Sequence, residues 1–278
     1  QYIISNRFIS PLWKWKLFFR IGIEKDFYDN MKMIDSFIYK NITNSIININ
    51  NGNSKPAHKK TLLEQFIDND IRCPIKLRDM ITNFILAGRD TTSSALTFCI
   101  YVLAKNPDFV IKIRNELKND DITFDKVKNM TYLNAFIFEV LRKYPPIAID
   151  TKKAIKTDVL PSGFNIKPYD RIMYSPLYIG NSELHYDNPS EIIPERWIKN
   201  NMSMYKQPIF NAGYRICLGK DMALTQIGVT LCILLKKFDF TMALPFDINI
   251  DSNITLYVKD GLMTRIDNII DGYNDCEL

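Results

Sequence analysis

A cysteine placed just ahead of a helix is the residue of this chain best suited to chemistry. Cys217 stands in the string FNAGYRICLG at 210–219, and the residues after it read as a helix over about 218–237. In that place the helix dipole and its unsatisfied N–H groups favour the thiolate, the form that binds metals. Gly213, with no Cβ, permits a tight turn before it, and Arg215 has the reach and charge to pair with an acid. A lone cysteine is more often a buried structural thiol, so the surrounding pattern must decide. A second constellation is Glu139-Val-Leu-Arg142, three residues apart and therefore on one helical face. Such pairs are common on solvated helices, and this one is weak by itself. A third is AGRDTT at 87–92, inside a long helical stretch. A glycine and several hydroxyl residues lower helix propensity there, and a local conflict of that kind tends to mark a functional site. The ordinary alternative is an exposed acid, Asp90, beside a back-bonded threonine, Thr91.

The elements that must position these residues follow from periodicity. Residues 1–45 read as helices, with Trp13, Leu17, Ile21, Phe27, Met31, Ile34 and Ile38 at spacings of three and four. The stretch NINNGNSKPAHKK at 48–60 reads as a loop. A short helix over 61–69 leads into a long one over 76–105, which at ~1.5 Å per residue would be about 45 Å long. A further helix spans 107–118, and Thr131 is expected to cap another that stops at Pro145-Pro146. Alternating residues and turn signals then predict short strands over 147–180, and hairpins over 240–268. The fold class is mainly α with minor β. No linker splits the chain, so 1–278 reads as one domain.

Composition removes several classes of function. With 278 residues, 46% hydrophobic and 24% charged, the chain is globular and too apolar for disorder. A net charge of +5 is a mild excess and gives no ground for a nucleic-acid partner. Five scattered cysteines and two histidines, His58 and His185, offer neither a disulfide framework nor an ordinary zinc site. Both histidines read as surface residues. No apolar run is long enough for a membrane-spanning helix.

The string at 210–219 resembles the F-x-x-G-x-R-x-C-x-G pattern of the cytochrome P-450 family of haem-thiolate monooxygenases. Five fixed positions coincide by chance at only ~10⁻⁷ per start. The resemblance implies haem b (iron protoporphyrin IX), bound through Cys217 as the metal ligand. A thiolate there pushes electron density toward bound oxygen and favours O–O cleavage. Phe210 would shield the sulfur, Gly213 and Gly219 would admit the flat macrocycle, and Arg215 would meet a propionate. Glu139, Arg142 and Arg196, the last within Pro194-Glu195-Arg196-Trp197, match the family's buried structural triad. Trp197 departs from its usual phenylalanine. AGRDT resembles the oxygen-activation motif: Ala87 faces substrate, Gly88 leaves room for dioxygen, and Asp90 and Thr91 are the catalytic proton relay. Ile147, Ala148 and Ile149 would wall the substrate pocket, and Lys152 or Lys153 would meet a propionate, with the choice between them open.

Strings such as LAGRDTTSS at 86–94 and RICLGKDMA at 215–223 resemble the fatty-acid omega-hydroxylase branch, although Tyr214 replaces its usual proline. The C-terminal part of the family fold is implied, with an anchor, a first sheet and early helices expected before Gln1. The implied activity is that of an oxidoreductase using O2 on a lipophilic small molecule, with electrons from a flavin-containing NADPH reductase docking on the basic face near Cys217 and Lys220. The parent would sit on the endoplasmic reticulum membrane, at its cytoplasmic face, through its N-terminus. Two other readings stand beside it: a truncated, catalytically incompetent haem-thiolate chain, and a haem-thiolate isomerase or lyase, against which the retained Asp90-Thr91 counts.

Overall fold

Prolines and apolar faces divide this chain into helices first and strands second. The computed structural model describes residues 12–52, 55–56, 59–118, 121–199, 203–243 and 247–269. The chain divides between Arg89 and Asp90 into two compact units.

In the first unit, α1 (Trp13–Phe19) and α2 (Ile23–Asn50) are separated at Arg20 and Gly22, which have φ of 52° and 59°. The helix α2 runs past Asn48, where a loop was expected, because Ile46 and Ile49 still find a small core to pack on. That core is Ile38 and Ile42 of α2 with Ile67 of α3 (Leu62–Asp68) and Leu77 at the start of α4 (Pro74–Lys105). Thr61 and Glu64 open α3 with a reciprocal capping box.

The second unit holds the larger core. Ala95, Phe98, Cys99, Val102 and Leu103 form one buried face of α4 at helical spacing. Against this core pack α5 (Pro107–Leu117), α6 (Phe124–Asn129), α7 (Thr131–Lys143) and α10 (Lys220–Lys237), while α8 (Pro176–Gly180) and α9 (Glu195–Lys199) pack on α7. The helix α6 is short and was not expected. Thr123 caps it by accepting from Lys126 N at 3.2 Å. Its neighbour α10 comes so close that a Cβ built on Gly228 would meet Val127 Cγ1 at 2.6 Å.

The N-terminus of α7 corrects the sequence expectation. Thr131 is already helical, and its hydroxyl is not the cap. The carboxylate of Glu116 on α5 accepts from Tyr132 N and Leu133 N, both at 2.9 Å. An acid from a neighbouring helix therefore does what a local hydroxyl would otherwise do. Arg114 performs the converse at the C-terminus of α10, donating to the carbonyls of Leu235 and Phe238.

Four antiparallel ribbons complete the unit as two nested pairs. The pair β2 (Asp158–Val159) and β3 (Asn165–Ile166) lies inside the pair β1 (Asp150–Lys153) and β4 (Arg171–Tyr174). Likewise β6 (Ile250–Ser252) and β7 (Leu256–Val258) form a hairpin inside the longer-range pair β5 (Phe238–Met242) and β8 (Thr264–Asn268). The expected run of simple hairpins over 240–268 is thus one hairpin enclosed by a non-local pair. Ser94 Oγ donates to Leu256 O at 2.6 Å and Leu256 N to Pro146 O at 2.8 Å, tying β7 to α4 and to the segment leaving α7.

Candidate functional site

The chain approaches Cys217 through two left-handed positions, Asn211 (φ 61°) and Gly213 (φ 67°). A single 3₁₀ turn, Gly213–Arg215, follows. A Cβ on Gly213 would stand 3.2 Å from Tyr205 Oη, so both backbone and space favour glycine. The loop closes where Cys217 N donates to Phe210 O at 2.7 Å, and α10 begins three residues later.

Cys217 is exposed, so the alternative of a buried structural thiol does not hold. Among the described residues of this unit, Cys99 and Cys232 are the buried thiols, and burial pushes both up, Cys232 to about 11. Around Cys217 lie the exposed side chains of Tyr214, Ile216, Leu218 and Met222, with the exposed Arg215 among them. A Cβ built on Gly219 would lie 4.0 Å from Cys217 Sγ, so this glycine keeps a side chain away from the sulfur. A soft donor at a helix N-terminus, an apolar surround and a guanidinium together fit an apolar plate that carries acids. Among the described residues no group of three or more His, Cys, Asp or Glu could hold a bare metal ion.

Behind this loop, Glu139 and Arg142 are fully buried and joined by two bonds, Nε to Oε2 at 2.9 Å and Nη2 to Oε1 at 2.8 Å. The three remaining guanidinium protons go to the carbonyls of Gly180, Pro189 and Glu191. Arg142 thereby uses all five of its donors. Glu139 is equally saturated. It also accepts from Ile193 N at 2.8 Å, Arg196 Nε at 3.3 Å and the Trp197 indole at 2.8 Å. Trp197 stacks on Phe138 with centroids 5.2 Å apart, and Phe138 meets Phe210 edge-on at 6.4 Å. The indole and the carbonyl partners were not legible as members of this cluster. The same is true of Gly180, on which any Cβ would overlap the Arg142 carbonyl.

The remaining site residues are distributed as follows. Asp90 and Thr91 are half-buried on α4, while Ala87 and Gly88 are exposed, and a Cβ on Gly88 meets nothing within 4 Å. Ala148 is packed in the core, Ile147 is half-buried and Ile149 is exposed. Lys152 and Lys153 take opposite faces of β1. Lys152 Nζ reaches Asp150 Oδ2 at 3.2 Å, whereas Lys153 Nζ lies over the Tyr169 ring at 4.5 Å. His185 is exposed, and His58 lies outside the described residues. No helix among the described residues is long and apolar enough to cross a membrane.

The sequence model of the cytochrome P450 family matches residues 3–259, a span that includes both the buried triad and the Cys217 loop. The chain belongs to the cytochrome P450 family. Its relatives include cytochrome P450 704C1 of Pinus taeda, 31% identical over 95% of this chain and 57% of the relative. Cytochrome P450 94A1 of Vicia sativa is 34% identical over 85% of this chain and 49% of that protein. Noroxomaritidine synthase 2 of Narcissus aff. pseudonarcissus MK-2014 is 33% identical over 94% and 55%. The chain spans about half the length of these curated P450 relatives. The mainly helical architecture with small sheets is that of part of a P450 fold.

Proposed function

We propose that this chain is the thiolate-bearing part of a P450 monooxygenase that inserts one atom of O2 into a lipophilic substrate, a long-chain fatty acid first among candidates. The observation that carries this is Cys217, exposed at the head of α10 in a loop that its own backbone bond closes. Haem b, when bound, supplies the redox chemistry that activates dioxygen. Cys217 would hold its iron. Arg215 would pair with one propionate, and Lys152 or Lys153 with another. Phe210, half-buried, would keep water from the sulfur, and Glu139, Arg142 and Arg196 would keep the supporting core in register. On α4, the Thr91 hydroxyl would hold a proton at Oγ, and Asp90 would replace it from solvent. Ile147, Ala148 and Ile149 would wall the path of an apolar substrate.

One oxygen atom enters the substrate and the other leaves as water. The electrons come from a flavin-containing NADPH reductase and the protons from solvent. Lys128 and Lys220 line a cleft of about 880 Å³ that Trp197 and Phe210 also border, which supports a docking face for that donor. The fatty-acid reading rests on the strings at 86–94 and 215–223. An anchor before Gln1 would place the parent on the endoplasmic reticulum.

The test is the reduced carbon monoxide complex. The protein should show the red-shifted Soret band of thiolate ligation. Cys217→Ala should abolish it, and Cys73→Ala should leave it intact. Absence of the band in the parent protein, or its persistence in Cys217→Ala, overturns the reading. A titration with long-chain fatty acids beside other lipophilic molecules tests the substrate by the spectral response at the iron.

A further inference from the structure

The loop that carries Cys217 is fastened to the β1–β4 ribbon by a polar node with no counterpart in the motifs. Asp150 and Tyr174 are directly opposed across the ribbon. Tyr174 Oη donates to Asp150 Oδ2 at 2.6 Å and also lies against Asn211 Oδ1. Asn211 Nδ2 donates to the same carboxylate oxygen at 3.1 Å, and Lys152 Nζ approaches it at 3.2 Å. The charge decides which way the amide faces, because a carboxylate accepts from Nδ2 and would repel Oδ1. Tyr174 has one proton, which it shares between the carboxylate and the amide oxygen.

Asn211 is the residue at which the loop departs, and its φ of 61° is a conformation that few residues other than glycine adopt. The peptide plane that contains the Phe210 carbonyl is set on its far side by that same φ. The Phe210 carbonyl is the acceptor for Cys217 N. Whatever holds the Asn211 turn therefore aims the bond that closes the cysteine loop.

We propose that Asp150 is a positioning residue for the Cys217 loop, acting through the side chain of Asn211 and jointly with Tyr174. It touches neither the sulfur nor any reacting atom. Its effect is to keep one loop geometry at the ligand. The inference rests on the proposed role of Cys217 for its significance, but its test does not require haem.

The experiment is amide hydrogen exchange on the full chain. Asp150→Ala should raise the exchange rate of the Cys217 amide roughly tenfold or more, since a hydrogen bond to a charged group is lost. Tyr174→Phe, which keeps the ring and the ribbon, should raise it by less. The amides of the β5–β8 pair should not change in either variant. In an Asn211→Gly background the turn no longer depends on the side chain, so Asp150→Ala should add nothing further. Wild-type exchange at Cys217 in both single variants overturns the proposal, as does an equal rise across β5–β8, which would mean general loosening. With haem bound, Asp150→Ala should lower the fraction of protein showing the thiolate Soret band. An unchanged fraction, beside unchanged exchange, counts against the proposal without touching the assignment of Cys217.

Discussion

The Trp197 indole N–H donates to Glu139 Oε2 at 2.8 Å while its ring stacks on Phe138. The tryptophan therefore joins a buried charge cluster to the aromatic packing that reaches Phe210. Trp197→Phe keeps a ring for the stack and removes only the donor, leaving Glu139 one bond short. A buried acceptor left unsatisfied costs about 1–3 kcal/mol, so this variant should be destabilised by that order. Arg142→Ala removes one partner of a fully buried pair and strands the carboxylate of the other, for which about 3–5 kcal/mol is expected. Urea unfolding midpoints measure both. Equal midpoints for Trp197→Phe and the parent would mean that the indole bond contributes nothing.

Acid should weaken the Asp150 node in a defined range. Burial alone would push this carboxyl up. Bonds from Tyr174, the Thr151 backbone, Asn211 and Lys152 outweigh burial and hold it at about 2, against an ordinary 3.8. A depressed carboxyl stabilises the folded state above its ordinary value, and that contribution is lost as pH falls through the folded value. The stability difference between the parent and Asp150→Asn should be full at neutral pH. It should begin to close below 3.8 and be largely gone near 2. A difference that stays constant over that range would show that the charge is not what the node uses.

The readable parts of this chain were those whose signals are local. The buried face of α7 at Leu133, Phe136, Ile137 and Val140 repeats every three or four residues, and the helix follows from that spacing alone. Glu139 and Arg142 share one turn, so their pairing was visible. Arg196 could be added only by resemblance to a family. What escaped depended on contacts distant in sequence. Glu116 caps α7 from another helix, β5 pairs with β8 across more than twenty residues, and Asp150 meets Asn211 sixty-one residues away. Nothing in the immediate neighbours of Asn211 marks it as left-handed. Asparagine merely tolerates that region better than most, and the carboxylate that exploits this lies on another element.

Thr91→Ala tests the proposed proton relay at the atom that would hold the proton. Thr91 and Asp90 are half-buried on α4, in a stretch whose glycine and hydroxyl residues weaken the helix that contains them. If the Thr91 hydroxyl orders proton delivery, its loss leaves binding of substrate and reductase intact but makes delivery haphazard. Reductant should still be consumed, while hydroxylated product per reductant falls by about a hundredfold, the low end of what a positioned proton donor contributes. Thr91→Ser retains a hydroxyl at the same position and should restore much of the coupling. Substrate affinity, read from the spectral titration, should stay the same in both variants, since neither change reaches the apolar substrate wall proposed at Ile147 and Ile149. Coupling in Thr91→Ala equal to that of the parent removes Thr91 from the relay, and equal losses in the alanine and serine variants assign the effect to packing along α4 instead of to the proton.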